Sequence, residues 1–193
     1  MPILPFEMVR EAVVNALIHR DYDIRQAKCQ LAVTPDTITV RSPGGPLEPV
    51  TLAQLQAFQA PMLSRNPELH YVFAQMELAE ERGLGIKSLR LQAERDGLPL
   101  PKYTFEAPYL VLTLYRTPEA AAATLAPEVL GALNRAEQEG WQWMAKMGRA
   151  KSSQYARAMR VEERTARRHL SRLEELGLVK KTGSGPSTEY EII

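Results

Sequence analysis

Three side chains near the N-terminus can bind a ligand or transfer a proton, and each is four residues from the next: Glu11, Asn15 and His19. In a helix this spacing puts them on one face, about one turn apart. A carboxylate there can orient a water molecule or accept its proton, and an amide oxygen can bind a hard cation. The alternative is an ordinary solvated helix face, with His19 and Arg20 as cations that favour the helix C-terminus.

The surrounding residues predict one helix that begins at Pro5 and includes residues 10–22 as far as Tyr22. The segment contains good helix formers and no internal glycine, and a proline suits the first turn of a helix. An apolar stripe at helical spacing predicts the face that packs on the body of the protein. It consists of Val9, Val13, Ala16 and Leu17.

The pattern Glu-x-x-x-Asn-Ala-x-x-His-Arg-Asp-Tyr in residues 11–22 resembles the opening signature of a known domain. This is the C-terminal domain of RecG-related ATP-dependent helicases and transcriptional regulators, which is similar to the GHKL nucleotide-binding fold of gyrase and histidine-kinase ATPases. Three more segments match in the same order: Arg-Ser-Pro-Gly-Gly-Pro at 41–46, Ser-Arg-Asn-Pro at 64–67 and Glu-Arg-Gly-Leu-Gly-Ile at 81–86. With a C-terminal winged helix, the resemblance covers nearly the whole chain.

The resemblance implies ATP and Mg²⁺ as ligands, with Glu11 as the catalytic general base and Asn15 as the protein ligand of the metal. In the GHKL fold, an Asp at the position of Ser42 reads the amino group of adenine. A serine hydroxyl can form a hydrogen bond, but it lacks the charge of that acceptor. The nucleotide-binding residues implied are Asn15, Ser42, Gly44, Gly45, Arg65, Gly83 and Gly85.

Two of these features, the paired glycines and Arg65, have other interpretations when taken alone. Paired glycines at the end of a strand, as at Gly44 and Gly45, are typical of a plain turn. Gly83-x-Gly85 precedes a predicted helix, where free N–H groups and the helix dipole can bind a phosphate. Arg65 falls in a region that the family pattern makes a lid-like loop, where it either meets a phosphate or is an ordinary exposed arginine.

The composition is that of a globular protein, with 193 residues, 45% hydrophobic and 24% charged. Its one cysteine, Cys29, excludes an internal disulfide and a cysteine-based zinc cluster. No apolar run approaches the roughly 18 residues of a membrane span, and the N-terminus lacks a secretory pattern. We therefore expect a cytoplasmic protein with no membrane partner.

The pattern of elements predicts an α+β fold, a two-layer sandwich with a mostly antiparallel sheet, followed by a winged-helix domain. The resemblance implies that the sandwich is GHKL-like. The body spans residues 1–116, a linker 117–127 and the second domain 128–193. Four strands are predicted at 29–33, 37–40, 102–106 and 109–115. Helices are predicted at 51–58, 67–75 and 86–96.

The last third of the chain predicts three helices and a two-stranded wing. The helices are placed at 131–147, with a possible interruption at Gly140, at 152–159, capped by Ser152 or Ser153, and at 162–176. Strands at 178–181 and 188–192 flank a glycine- and serine-rich turn. This order is similar to that of the winged helix-turn-helix of many bacterial regulators.

Charge is distributed unevenly along the chain. From residue 141 onward there are 11 Lys and Arg against 6 Asp and Glu, whereas the first 140 residues carry a net charge of −4. A basic C-terminal domain indicates a polyanionic partner. The predicted DNA-binding residues are Ser153, Arg164, Thr165, Arg167, Arg168, Arg172, Lys180 and Lys181. Alternatively, these arginines pair with neighbouring glutamates on a solvated face.

The leading hypothesis is a DNA-binding transcriptional regulator whose body senses a nucleotide effector. Its partners would be double-stranded DNA, the nucleotide and, as a further option, a second copy in a homodimer. One alternative is a DNA-associated ATPase of GHKL type. Another is a degenerate body used only for dimerisation or docking. Members of the family usually carry a Schlafen/AlbA-like domain ahead of the first helix, so the chain is either a short member or a fragment.

Overall fold

The first helix, α1 (Phe6–Ile18), begins directly after Pro5 and ends earlier than the sequence predicts. The computed structural model describes residues 3–79, 85–125 and 127–192. The prediction of a helix as far as Tyr22 is wrong, because the backbone turns after Ile18. Asn66 Nδ2 donates to the carbonyl oxygens of Ile18 and Arg20 at 2.7 and 2.9 Å, replacing the bonds that a longer helix would make.

The buried face of α1 is also not the predicted apolar stripe. Its fully buried apolar residues include Met8, Ala12 and Ile18, and the carboxylate of Glu11 lies on the same buried side. The residues of the predicted stripe are only half-buried. The helix therefore turns the Glu11 carboxylate toward the protein interior, which hydrophobic periodicity alone could not show.

Four antiparallel strands form the sheet beneath this helix, which confirms the predicted α+β class. Their spatial order is β1-β2-β4-β3, with the long central pair β2–β4 in register from Thr37↔Tyr115 to Pro43↔Tyr109. The strands are β1 (Gln30–Val33), β2 (Thr37–Pro43), β3 (Lys102–Glu106) and β4 (Tyr109–Tyr115). The last two match their predicted bounds, whereas β2 continues three residues beyond its prediction into the Pro-Gly-Gly turn.

Three further helices of this part of the chain agree closely with the predictions. They are α2 (Leu52–Gln56), α3 (Pro67–Gln75) and α4 (Gly85–Asp96). Thr51 caps α2: its hydroxyl accepts from the backbone N–H of Gln54, whose side chain accepts in return from the Thr51 N–H. Helix α4 packs on α1, and this contact brings the start of α4 to the middle of the first helix.

The chain divides into two compact units. Unit 1 comprises residues 1–96 and 101–116, and unit 2 comprises residues 97–100 and 117–193. The segment 117–127, predicted as a linker, contains a helix, α5 (Pro118–Ala123), capped by the Thr117 hydroxyl. Three of the four alanines of α5, Ala120 to Ala122, are buried, and α5 packs on α7 (Arg135–Met147), so this segment is part of the packing of unit 2.

Unit 2 continues with helices and a small antiparallel sheet. The elements after α5 are α6 (Pro127–Gly131), α7, β5 (Arg149–Ala150), α8 (Ser152–Met159), α9 (Glu163–Glu175), β6 (Val179–Thr182) and β7 (Glu189–Ile192). The strand order is β5-β7-β6, and the short strand β5 was not predicted. The residues between β6 and β7 include a 3₁₀ turn, Gly185–Ser187.

Two predictions about the helices of unit 2 are wrong. Helix α7 starts at Arg135 rather than Gly131 and runs through Gly140 without interruption. The N-cap of α8 is Lys151, whose N–H donates to Gln154 Oε1 at 2.8 Å, so Ser152 and Ser153 lie inside the helix. No helix among the described residues is both long enough and apolar enough to cross a membrane.

Candidate functional site

A cavity of about 150 Å³ in unit 1 is lined by most of the residues predicted for the nucleotide site. Helix α1 contributes Glu11, Asn15 and His19 to its wall, so the predicted common face exists although His19 lies just past the helix end. The other walls come from β2, the loops on either side of α2, helix α3, the start of α4 and the β3–β4 pair. Predicted residues Ser42, Gly45, Arg65 and Gly85 also line it.

The centre of this wall is a pair of side chains one helical turn apart. Asn15 Nδ2 donates a 2.8 Å hydrogen bond to Glu11 Oε1. Because a carboxylate only accepts, this bond fixes the amide orientation and leaves Asn15 Oδ1 for another partner. Glu11 is 9% exposed, so the pair is held inside the protein, and the interpretation as a solvated helix face is wrong.

Gly85, the first residue of α4, lies directly against this pair. A Cβ atom at this position would overlap Glu11 Oε1 and would come within 3.1 Å of Glu11 Cδ. A glycine here therefore lets the N-terminus of α4 approach the carboxylate, which the positive end of a helix stabilises. Gly83, the other glycine of the predicted phosphate loop, lies outside the described residues.

Ser42 is buried beside α1, and its hydroxyl donates a hydrogen bond to the backbone of that helix. Its Oγ donates to the carbonyl oxygen of Ala16 at 2.6 Å, and Cys29 Sγ lies 3.9 Å from the same Oγ. With its hydrogen given to the backbone, the hydroxyl oxygen of this cavity-lining residue can act only as an acceptor. Cys29 lies one residue before β1 and is half-buried, as a small apolar residue.

The two glycines of the turn after β2 differ in their contacts. Gly44 has φ of +106°, and a Cβ there would come within 2.7 Å of Asp21 Cβ, so both the backbone conformation and the close approach require glycine. Gly44 is bonded to the β3–β4 turn, since its N–H donates to Pro108 O. Gly45 lines the cavity, and its carbonyl oxygen accepts from Arg65 Nη2 at 2.8 Å.

Arg65 is held by protein groups on two sides. Its Nη1 lies 3.2 Å from Asp21 Oδ2, and its Nη2 binds the Gly45 carbonyl. Its Nε and the neighbouring Ser64 Oγ are buried with no hydrogen-bond partner among the described residues. Arg65 is therefore neither an ordinary exposed arginine nor a free cation, because it connects the cavity wall to the segment after α1.

Four residues of this site were not singled out in the sequence: Asp21, Asn66, His70 and Tyr103. The first two were visible as members of the matched segments 11–22 and 64–67, and the structure shows that they join those segments. His70 and Tyr103 line the cavity but belong to no motif. Only the packing of α3 and β3 brings them to the wall.

Two ionisable side chains of the wall are held neutral by their surroundings. Burial, with smaller contributions from nearby His70 and Arg65, lowers the pKa of His19 from 6.5 to about 4. Burial, with a smaller contribution from Glu11, raises the pKa of the Tyr103 hydroxyl. At neutral pH His19 is therefore uncharged, so its predicted alternative role as a helix-terminal cation is wrong.

In unit 2 the predicted DNA-binding residues fall into groups on and around α9. Arg164 and Arg168 are exposed and form no ion pair with any described residue. Arg167 pairs with Glu163 at 2.8 Å, and Arg172 pairs with Glu175 at 3.0 Å. The predicted pairing with glutamates thus applies to two of the four arginines.

The remaining predicted residues of unit 2 lie on the flanking elements. Ser153 is exposed in the first turn of α8, and Thr165 is half-buried on α9. Lys181 is exposed on β6, and Lys180 lies 3.5 Å from Glu191 on the neighbouring strand. The structure therefore does not show a single uniform cationic surface, but one whose charges are partly neutralised.

The core of unit 2 fixes α9 through a buried polar pair. His169 Nδ1 and the Tyr155 hydroxyl are 3.2 Å apart, so His169 ties α9 to α8 inside the core. A Cβ at Gly140 would overlap the Tyr155 hydroxyl. Glycine in the middle of α7 is therefore explained by the close approach of Tyr155 rather than by a break in the helix.

Comparisons with known proteins agree with this architecture. Residues 26–114 match the family described as "Putative ATP-dependent DNA helicase recG C-terminal". This part of the chain is thus similar to a RecG-type C-terminal, ATPase-like domain. The match begins after α1, so Glu11 and Asn15 precede the matched residues.

The fold is also similar to that of a solved protein. The crystal structure of the DIP2311 protein from Corynebacterium diphtheriae matches with a TM-score of 0.54 and 18% sequence identity. The match covers 98% of this chain and 50% of that chain, so this chain spans about half the length of the solved protein. No curated protein matches the chain.

Proposed function

We propose that the chain is a DNA-binding transcriptional regulator. Unit 2 binds duplex DNA as a winged helix-turn-helix, and the cavity of unit 1 binds ATP or another nucleotide that regulates DNA binding. The observation that carries the DNA-binding part is that Arg164 and Arg168 on α9 are exposed and have no acidic partner within the described part of the chain.

The order of elements in unit 2 supports the winged-helix interpretation. Helices α8 and α9 are joined by a tight turn in which Arg160 has a left-handed backbone, with φ of +53°. The β6–β7 hairpin follows α9 directly, in the place of a wing. In such folds the second helix of the pair enters the major groove, while neighbouring elements contact the phosphate backbone.

Binding to a short fluorescent duplex, followed by anisotropy, tests this part of the proposal. Arg168→Ala is expected to weaken binding, because Arg168 pairs with no acid in the described ranges and can contribute its charge to phosphate neutralisation. Arg135→Ala is the matched control, since Arg135 is 93% exposed on α7 and pairs with Glu139. Equal affinities for the two variants would contradict the assignment of α9 as the DNA-contacting helix.

The nucleotide part is supported by the cavity of unit 1 and by the description of the matched family. The residues present fit three parts of a nucleotide bound with its metal ion: an oxygen ligand for the metal, a helix N-terminus for a phosphate and an acceptor for the base. Asn15 Oδ1 is available beside Glu11, the N-terminus of α4 approaches the same point at Gly85, and the Ser42 hydroxyl presents an acceptor. An acceptor at this position suits a donor such as an exocyclic amino group.

Mg²⁺ would be held at this site by few protein atoms. No group of three or more His, Cys, Asp or Glu side chains in the described ranges is arranged to bind a metal ion. Mg²⁺ bound with a nucleotide usually keeps several waters and takes one or two protein oxygens, so Asn15 Oδ1 alone would suffice. When bound, the ion would neutralise phosphate charge, and Glu11 would orient water beside it.

Isothermal titration calorimetry with ATP and Mg²⁺ tests the nucleotide part. The wild type is expected to bind, and Asn15→Ala is expected to bind more weakly because it removes the oxygen proposed for the metal. Gln26→Ala is the control and should bind as the wild type does, since Gln26 is exposed in unit 1 and does not line the cavity. Absence of binding in the wild type would remove this part and leave DNA binding to be judged separately.

A second candidate function, a DNA-associated ATPase, is favoured by one observation. The Glu11 carboxylate is buried and hydrogen-bonded, as a general base for water would be. Ser42 in place of the charged adenine-reading residue argues against efficient turnover. Phosphate release that disappears in Glu11→Gln, with nucleotide affinity retained, would favour the ATPase over the sensor.

A further inference from the structure

The charged residues in the N-terminal half of α9 form two neighbouring rows. Arg164 and Arg168 are four residues apart and have no acidic partner among the described residues. Glu163 and Arg167 are also four residues apart and form an ion pair, with Arg167 Nη2 2.8 Å from Glu163 Oε1. Residues four apart share one helix face, so each row presents its two side chains together.

The Glu163 carboxylate is held from two elements. Besides Arg167, the hydroxyl of Ser152 at the start of α8 donates to the same Oε1 at 3.2 Å. These hydrogen bonds, that from Arg167 above all, lower the pKa of the Glu163 carboxyl, so it stays ionised. The pair remains accessible, because the side chains of Arg167 and Glu163 are 65% and 51% exposed.

A fixed carboxylate restricts what this row can contact on DNA. Phosphates repel it, whereas the edge of a base pair in the major groove can satisfy it. Glutamate accepts from the N4 amino group of cytosine, and arginine donates to O6 and N7 of guanine. One C·G pair presents both groups side by side, which matches the donor and acceptor that Arg167 and Glu163 present.

We propose that Glu163 and Arg167 together read one C·G base pair, while Arg164 and Arg168 contact phosphates. This inference rests on the proposed DNA binding of unit 2 and assigns its sequence specificity. Ser152 then acts as a positioning residue that keeps the carboxylate directed toward the groove. The phosphate row supplies affinity that is independent of sequence, and the paired row supplies the choice of base.

The experiment is selection of bound sequences from a random duplex pool by the full chain. Wild type is expected to favour C·G at one position by on the order of tenfold. Glu163→Ala should lose that preference at this position only, and Glu163→Gln should shift it toward A·T, because an amide pairs with adenine. Arg168→Ala should weaken all sequences about equally and reduce the salt slope by about 1.

Glu174→Ala is the matched control, since Glu174 is exposed on the C-terminal half of the same helix. It should leave the base preference unchanged. Retention of the C·G preference in Glu163→Gln, or duplex binding by the wild type without any base preference, would overturn this inference and leave DNA binding intact. Failure of the wild type to bind any duplex would instead refute the proposed function itself.

Discussion

Arg65 Nη1 lies 3.2 Å from Asp21 Oδ2, and this ion pair joins two sequence segments that are 44 residues apart. Gly44 packs on the Cβ of the same Asp21, and Asn66 binds the carbonyl oxygens that precede it. Three of the matched segments therefore form one connected structure at the end of α1. Their first role is to terminate that helix and fix one side of the cavity.

Replacement of Asn66 tests this role. Asn66→Asp keeps the size of the side chain but removes both N–H donors to the carbonyls of Ile18 and Arg20. We expect a loss of at least about 2 kcal/mol in the free energy of unfolding, measured in urea, from two hydrogen bonds of about 1 kcal/mol each and from repulsion between the new carboxylate and the two carbonyl oxygens. Gln59→Ala, at an exposed position, is the control and should be neutral. Equal stabilities would show that the two bonds contribute nothing.

Gly85→Ala tests the close approach of α4 to Glu11. The new methyl group must displace the carboxylate and break its 2.8 Å bond with Asn15. We expect a loss of about 1 kcal/mol in stability and weaker nucleotide binding. In a Glu11→Ala background the space is empty, so Gly85→Ala should cost less there. Additive effects in this double-mutant cycle would mean that the two residues do not interact.

His19 predicts a defined pH dependence. Its folded pKa of about 4 lies below the usual 6.5, so between these values the unfolded chain binds a proton that the folded chain does not. The contribution of His19 to the free energy of unfolding should therefore be fully present above pH 6.5. It should fall as the pH drops toward 4, by up to about 3 kcal/mol. Wild type and His19→Gln should differ in this slope. Parallel pH profiles would exclude His19 as its source.

Gly140→Ala tests the packing beneath α9. Its Cβ would overlap the hydroxyl of Tyr155, which is fully buried and bonded to His169, so the ring cannot move aside at low cost. We expect destabilisation by about 1–3 kcal/mol, despite the better helix propensity of alanine. Gly131→Ala is the control, because nothing lies within 4 Å of its added Cβ. A stabilised Gly140→Ala would refute the close contact.

Much of the fold could be predicted because local signals and tertiary structure agree. The strands at 102–106 and 109–115 and the helix at 67–75 have alternation, proline placement and turns that specify them locally. The end of α1 could not be predicted this way, because it depends on Asn66, 48 residues beyond Ile18. Helix α5 was missed because a short alanine-rich segment resembles a linker until α7 covers it.

Only those residues of the candidate site that belong to sequence motifs could be predicted. Glu11, Asn15, Ser42, Arg65 and Gly85 were identified from residue type and order, and the structure brings all five to one cavity. His70 and Tyr103 give no signal in the sequence, because a single histidine or tyrosine in a helix or strand is usually structural. On α9, the sequence showed four arginines, but not which of them glutamates already neutralise.

The central claim, that α9 binds duplex DNA through Arg164 and Arg168, is tested most directly by the salt dependence of binding. The wild type and the double variant Arg164→Ala/Arg168→Ala are titrated onto one duplex between about 50 and 200 mM salt, a range in which phosphate contacts weaken strongly. We expect wild-type affinity to fall steeply and the slope of the double variant to be smaller by about 2. Binding that is indifferent to salt, or identical slopes for the two proteins, would contradict the account.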